Sequence, residues 1–376
     1  MENRKIRVAI THGDTNGIGY ELIFKTFAEP EMLELCTPII YGSPKIAAYH
    51  RKALDLQATF SIINDAGEAK DGRVNMLACF DEDVKVELGV QTTESGTAAV
   101  KALDKALADY KDGLFDVLVC CPEDCKGLDV AGFKFEGLKN YIETSLGEGR
   151  QSVRMLLGES MRMAFATDGL AIKDVAGSIT KECISYKTKL LADCIRRDFT
   201  ISGPRIGVLG LNPGADGKEE NDIIKPALED GNDADTTVFG PYPAEAYFSQ
   251  RMYDAFDCTL AMYDDQGTIP FNALSCEPGV MFFAGLPIVC TTLPDGPCFD
   301  IAGKCVADPS GLRRCIFTAI DVFRNRNAYD EPLSNPLQKL YHEKRDESDK
   351  VRFAVPKKRD AVNKAKPQPK EDASDK

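Results

Sequence analysis

Histidine is the scarcest chemically useful residue in this 376-residue chain, which has only three: His12, His50 and His342. His12 follows the first apolar run, His50 falls in a helix-like stretch, and His342 sits close to the C-terminal end. A site built on three imidazoles would need all three of these distant residues to converge. Positive charge is also short: 46 Lys and Arg stand against 59 Asp and Glu, a net charge of −13. Binding a nucleic acid needs a basic stripe, so that class is excluded, whereas a small anion can be held by a few local cations. No apolar run approaches the roughly 20 residues of a membrane helix. Residues 1–5 pass straight into a strand-like run with no signal-peptide pattern. The expectation is a cytoplasmic protein that partners neither nucleic acid nor membrane.

Cysteine is plentiful. The 13 cysteines, an odd number, lie partly inside apolar runs such as 117–121 and 286–290. That reads as reduced thiols rather than a disulfide framework. With 43% hydrophobic residues the chain has ample material for a buried core and for two domains.

Strand-like runs fall at 6–11, 38–41, 117–121, 163–166, 206–211, 259–262 and 287–291. Helical patterns fall between them, at 20–28, 45–54, 96–110, 181–198, 222–228 and 311–324. This alternation predicts an α/β fold around a mostly parallel sheet. In the 96–110 helix, Ala98, Ala99, Ala102 and Leu103 make the core-facing stripe, with Ser95 or Thr93 as the cap. Residues 343–376 are rich in Lys, Asp and Glu and read as a disordered charged tail.

The run Thr11-His-Gly-Asp-Thr-Asn-Gly-Ile-Gly19 links the first strand to a helix. Its glycines and the helix N-terminus suit an anion, but a plain strand-to-helix turn explains them equally well. Stronger signals are Gly210-Leu-Asn-Pro213, Phe239-Gly-Pro-Tyr-Pro-Ala-Glu245, Ala261-Met-Tyr-Asp-Asp-Gln-Gly267, Gly285-Leu-Pro287 and Asp300-Ile-Ala-Gly-Lys304. With Glu94-Ser-Gly-Thr-Ala-Ala and the opening glycine motif, their order and spacing resemble the 4-hydroxythreonine-4-phosphate dehydrogenase family of vitamin B6 biosynthesis. The resemblance covers about residues 4–340.

The resemblance implies an isopropylmalate dehydrogenase-like fold of two α/β domains with a cleft between them. The first would comprise 1–125 with 286–342, and the second 126–285 with the interface of a homodimer. It also implies NAD as hydride acceptor, and a divalent metal on three histidines that polarises the substrate's hydroxyl. Those histidines are absent here. In the family's Thr-His-Ile-Pro-Leu block Gly169 takes the ligand position, in Leu-Asn-Pro-His it is Gly214, and in Met-Tyr-His-Asp it is Asp264. The substrate positions are changed too. Leu138 and Lys139 replace a His-Thr pair, Asn272 a lysine, Met281 an asparagine and Cys290 an arginine. The family's Pro-Ile-Asn-Lys reads Pro122-Glu-Asp-Cys125.

Scaffold glycines such as Gly17, Gly19, Gly267, Gly285 and Gly303 persist beside these losses. The leading expectation is therefore a pseudoenzyme, or a partner subunit of an active homologue, in which a divalent metal is doubtful. An alternative is an active NAD-dependent oxidoreductase acting on a hydroxy acid. Its re-tooled metal site would use Asp168, Asp216 and Asp264, since carboxylates suit a hard cation. A third reading gathers Cys121, Cys125, Cys290, Cys298 and Cys305 around zinc, against the blander view of thiols as small apolar filling.

Overall fold

Apolar runs of four to seven residues become strands buried on both faces, which is what a helix-covered parallel sheet requires. The computed structural model describes residues 4–80, 84–124, 129–130, 133–134, 136–147, 149, 151–232 and 236–335. The charged segment 343–376 and Cys125 lie outside the described residues. The chain divides into two units, Met1–Glu331 and Pro332–Lys376.

The strands are β1 (Ile6–Thr11), β2 (Cys36–Gly42), β3 (Ser61–Ile63), β4 (Asn75–Ala78), β5 (Val117–Cys120), β6 (Asp129–Val130), β7 (Phe133–Lys134), β8 (Val153–Leu157), β9 (Arg162–Phe165), β10 (Arg205–Leu209), β11 (Thr237–Tyr242), β12 (Cys258–Ala261), β13 (Val280–Ala284) and β14 (Val289–Thr292). The helices are α1 (Gly19–Thr26), α2 (Pro30–Leu35), α3 (Pro44–Ala53), α4 (Thr93–Lys111), α5 (Leu138–Leu146), α6 (Ile172–Ser178), α7 (Lys181–Phe199), α8 (Lys225–Gly231), α9 (Ala244–Ser249), α10 (Asp264–Leu274) and α11 (Ser310–Ser334). Among the described residues none of these is long and apolar enough to cross a membrane.

Twelve strands form one sheet in the order β11-β10-β12-β9-β8-β13-β14-β5-β1-β2-β4-β3, while β6 and β7 pair separately. The mixed α/β class is as expected. Each wing of the sheet is parallel, but the centre is not: β9 with β8, β8 with β13, and β13 with β14 are all antiparallel. Three antiparallel steps make the two wings run in opposite directions.

Side chains alternate across the sheet as the strand period demands. On β1, Val8 and Ile10 join the core under α1, with Tyr20, Leu22 and Ile23, while Ala9 joins the core under α4, with Ala99, Ala102 and Leu103. The cap of α4 corrects the expectation. Thr92, one residue before Thr93, caps it, its Oγ1 accepting from Ser95 N–H at 3.2 Å. Ser95 Oγ instead donates to the buried Asp14 carboxylate at 3.0 Å.

Candidate functional site

The central strands carry the site. Phe283 pairs with Arg154 across β13 and β8, and Met281 lies two residues along the same strand. The period of two therefore brings Arg154, Met281 and Phe283 to one face. Over that face lies a cleft of about 660 Å³, walled by α5, by α7 and by the segments after β9 and β14. A second depression, about 450 Å³ beside Phe24, Phe27 and Phe60, has Arg73 as its sole charged lining residue, so it gathers no catalytic cluster.

Leu138, Lys139, Asp168, Gly169 and Met281, all singled out from the sequence, line the cleft together. Asp264 joins them from the first turn of α10: its Oδ2 accepts from Gly169 N–H at 2.7 Å. Gly214 and Asp216 sit exposed in the loop after β10, Asn272 is exposed on α10, and Cys290 is fully buried in β14. None of these four lines the cleft.

Sequence reasoning missed Arg154 and Lys187. Arg154 Nε lies 2.8 Å from Asp168 Oδ1, out of line for a good hydrogen bond, and Arg154 Nη2 is paired with Asp264 Oδ1. The guanidinium carbon is 4.0 Å from the centre of the Phe165 ring. Burial lowers the Arg154 pKa and the Asp168 charge opposes that; the group remains a cation. Lys187 Nζ donates to the carbonyl of Ala166 at 2.5 Å, and burial, reinforced by Lys139, holds its pKa below the usual lysine value. The available signal was an arginine inside the otherwise apolar run Val-Arg-Met-Leu-Leu of β8.

The glycine motif resolves toward the plain turn. Asn16 N–H donates to Asp14 Oδ1 at 2.7 Å, Gly17 N–H to Asp14 O at 3.2 Å, and Ile18 N–H to Pro297 O at 3.2 Å. These donors are committed to the protein itself, which leaves the turn a structural role.

A family metal does not fit the residues present. Gly169 and Gly214 have no ligating side chain, and the Arg154 guanidinium already holds both Asp168 and Asp264. Among the described residues, no three of His, Cys, Asp and Glu converge on a metal position. As for thiols, Cys290 and Cys120 are free thiols joined by a hydrogen bond, and Cys298 Sγ donates to Gly296 O at 3.2 Å. Among the described residues, Cys183 is the cysteine that lines the cleft.

The sequence pattern of the family described as "Pyridoxal phosphate biosynthetic protein PdxA" matches residues 34–319. The chain belongs to the PdxA family. A protein of Bacteroides thetaiotaomicron named 4-hydroxythreonine-4-phosphate dehydrogenase is 47% identical over 358 residues, covering 94% of this chain and 98% of its own length. A protein of the same name from a Sulfurihydrogenibium species is 31% identical over 326 residues, covering 85% and 99%. Among solved structures, the 4-hydroxythreonine-4-phosphate dehydrogenase of Klebsiella pneumoniae superposes with a TM-score of 0.73 at 25% identity, covering 86% of this chain and 99% of its own. That of Burkholderia phymatum gives 0.70 at 26%, covering 85% and 99%. The PdxA family works in pyridoxal phosphate biosynthesis.

Proposed function

We propose that this PdxA-family chain no longer performs the family's metal-assisted oxidation and serves vitamin B6 synthesis as a non-catalytic homodimer or as partner of an active homologue. One observation carries the reading: Asp264, at a family metal position, is joined with its neighbour Asp168 to the guanidinium of Arg154. An ion needs those oxygens free at about 2–2.6 Å. The changes at Asn272 and Cys290 act in the same direction by removing two cations from the family's substrate set. Losing a charge-assisted contact to a substrate costs roughly 2–5 kcal/mol.

The test is an assay of the purified chain with NAD, 4-phosphohydroxythreonine and Mg²⁺, Mn²⁺ or Zn²⁺, with molar mass in solution measured in parallel. Absence of NADH formation is expected. Turnover at ordinary enzyme rates would end the reading.

A second reading, an NAD-dependent oxidoreductase acting on a different hydroxy acid, is supported by the cleft itself, still about 660 Å³ and lined by Lys139, Arg154 and Lys187. Thermal unfolding with NAD or NADH separates the two. A ligand at 100 times its dissociation constant adds about 2.7 kcal/mol, and an unmoved midpoint favours the non-catalytic role.

A further inference from the structure

We propose that Arg154 is the built-in cation of this cleft, and that Asp168 and Asp264 form a latent carboxylate pair which accepts a hard divalent cation once the guanidinium is removed. The inference rests on the reading that the family metal is lost, and extends it to what replaced the metal.

Three observations converge. Arg154 is the one polar residue of β8, and its side chain is 13% exposed. A cation in so apolar a strand needs anionic partners, because burying an unpaired charge is costly. Two carboxylates from separate elements supply them: Asp168 from the segment after β9, and Asp264 from the start of α10. The second Asp264 oxygen is held by Gly169 N–H at 2.7 Å, so the backbone fixes that carboxylate against the loop of its neighbour Asp168. Lys139 makes only a longer ion pair with Asp168, at 3.9 Å, against 2.8 Å for Arg154. Taking Arg154 away therefore leaves the Asp264 carboxylate anchored by Gly169 N–H, with the Asp168 carboxylate facing the same vacated position. Magnesium-like ions bind through one or two carboxylates and complete their shell with water.

The substitution also makes sense of the family positions. A guanidinium satisfies the carboxylates with no soft or imidazole ligand, so Gly169 and Gly214 can lack side chains. It does not deprotonate near neutrality, so the position stays filled at every physiological pH.

The probe is Mn²⁺ alone, followed by electron paramagnetic resonance and calorimetry on the full chain. Wild type should show no saturable Mn²⁺ binding in the low-millimolar range. Arg154→Met and Arg154→Gln should each bind one Mn²⁺ per chain at least about tenfold more tightly than wild type, and adding Asp264→Asn should abolish that gain. Saturable Mn²⁺ binding by wild type that Asp264→Asn removes would overturn the proposal, and needs no Arg154 variant to fold. So would a natively folded Arg154 variant that binds no Mn²⁺. Turnover by wild type without bound Mn²⁺ would defeat the proposed function while supporting Arg154 as the resident cation.

Discussion

The guanidinium of Arg326, on α11, grips the carboxylate of Asp198, on α7, with two parallel hydrogen bonds of 2.7 and 2.9 Å. Both side chains are almost wholly buried, at 6% and 2% exposure. The remaining nitrogen of Arg326 donates to the carbonyls of Leu286 and Pro287, each at 3.2 Å. The family-like Gly-Leu-Pro stretch is thus bolted to two helices through its backbone. Removing one member of such a pair strands the other charge, at a cost of about 3–5 kcal/mol. Arg326→Met should lower the urea midpoint accordingly, and a loss below about 1 kcal/mol would show that the pair is relaxed by solvent. Replacing both residues by apolar ones should recover much of the loss.

Glycine positions divide sharply in the cost of adding a methyl group. A Cβ at Gly19 would lie 1.9 Å from the carbonyl oxygen of His12, a backbone atom that cannot swing aside. At Gly177, exposed in α6, a Cβ meets nothing within 4 Å. Gly19→Ala should destabilise by about 1–3 kcal/mol or more, whereas Gly177→Ala should stabilise by about 0.4–1 kcal/mol. Denaturant midpoints of the two variants measured together check both signs.

Much of the architecture was legible because strand and helix periods are local properties. The runs around β1, β2, β5, β9, β10, β12 and β14 were visible as apolar stretches, and α4 and α7 as amphipathic patterns. The helix expected at 222–228 is a wide turn at Glu220–Ile224 followed by α8. Strand β8 was hidden by Arg154, which interrupts its apolar run, and α10 by Gly267 and Pro270 inside it. The placement of Arg154 against Asp168 and Asp264 did not follow from the motifs, because these residues meet only through the antiparallel centre of the sheet. No local pattern encodes that crossing.

Acid sensitivity should appear well above the carboxylate range. Complete burial, with His50 nearby, lowers the His12 pKa from 6.5 to about 3, and burial also lowers that of His50. Both folded values lie below the unfolded value of about 6.5. The unfolded chain therefore binds more protons below that pH. Stability is full above pH 6.5 and falls as the pH drops. Each neutral histidine contributes a slope approaching about 1.4 kcal/mol per pH unit. Burial raises the Asp14 pKa, which works with the opposite sign nearer the carboxylate range, so the window from pH 6.5 to 5 is the informative one. His50 Nε2 lies 2.8 Å from Thr15 O, and His50→Gln keeps a donor there while removing a titrating group. Urea unfolding at several pH values should show a shallower pH dependence in the variant, and an unchanged slope would contradict a neutral buried His50.

Restoring the family's imidazoles should not by itself restore a metal site. Gly169 has a φ of +66°, a conformation that costs a side-chain-bearing residue about 1–2 kcal/mol. A Cβ at Gly214 would sit 2.6 Å from Asp216 Oδ1, so that carboxylate must move first. Asp264→His removes a partner of Arg154 and sets a second cationic group close to the guanidinium. The triple variant Gly169→His, Gly214→His, Asp264→His should therefore be less stable than wild type and bind Zn²⁺ weakly by calorimetry. Adding Arg154→Val removes the competing charge and should strengthen Zn²⁺ binding by about tenfold or more, since a like charge a few ångströms from an ion is worth at least about 1 kcal/mol even at high dielectric. If the triple variant already binds Zn²⁺ as tightly as the quadruple one, Arg154 is not what keeps the ion out, and the glycine positions alone account for the loss.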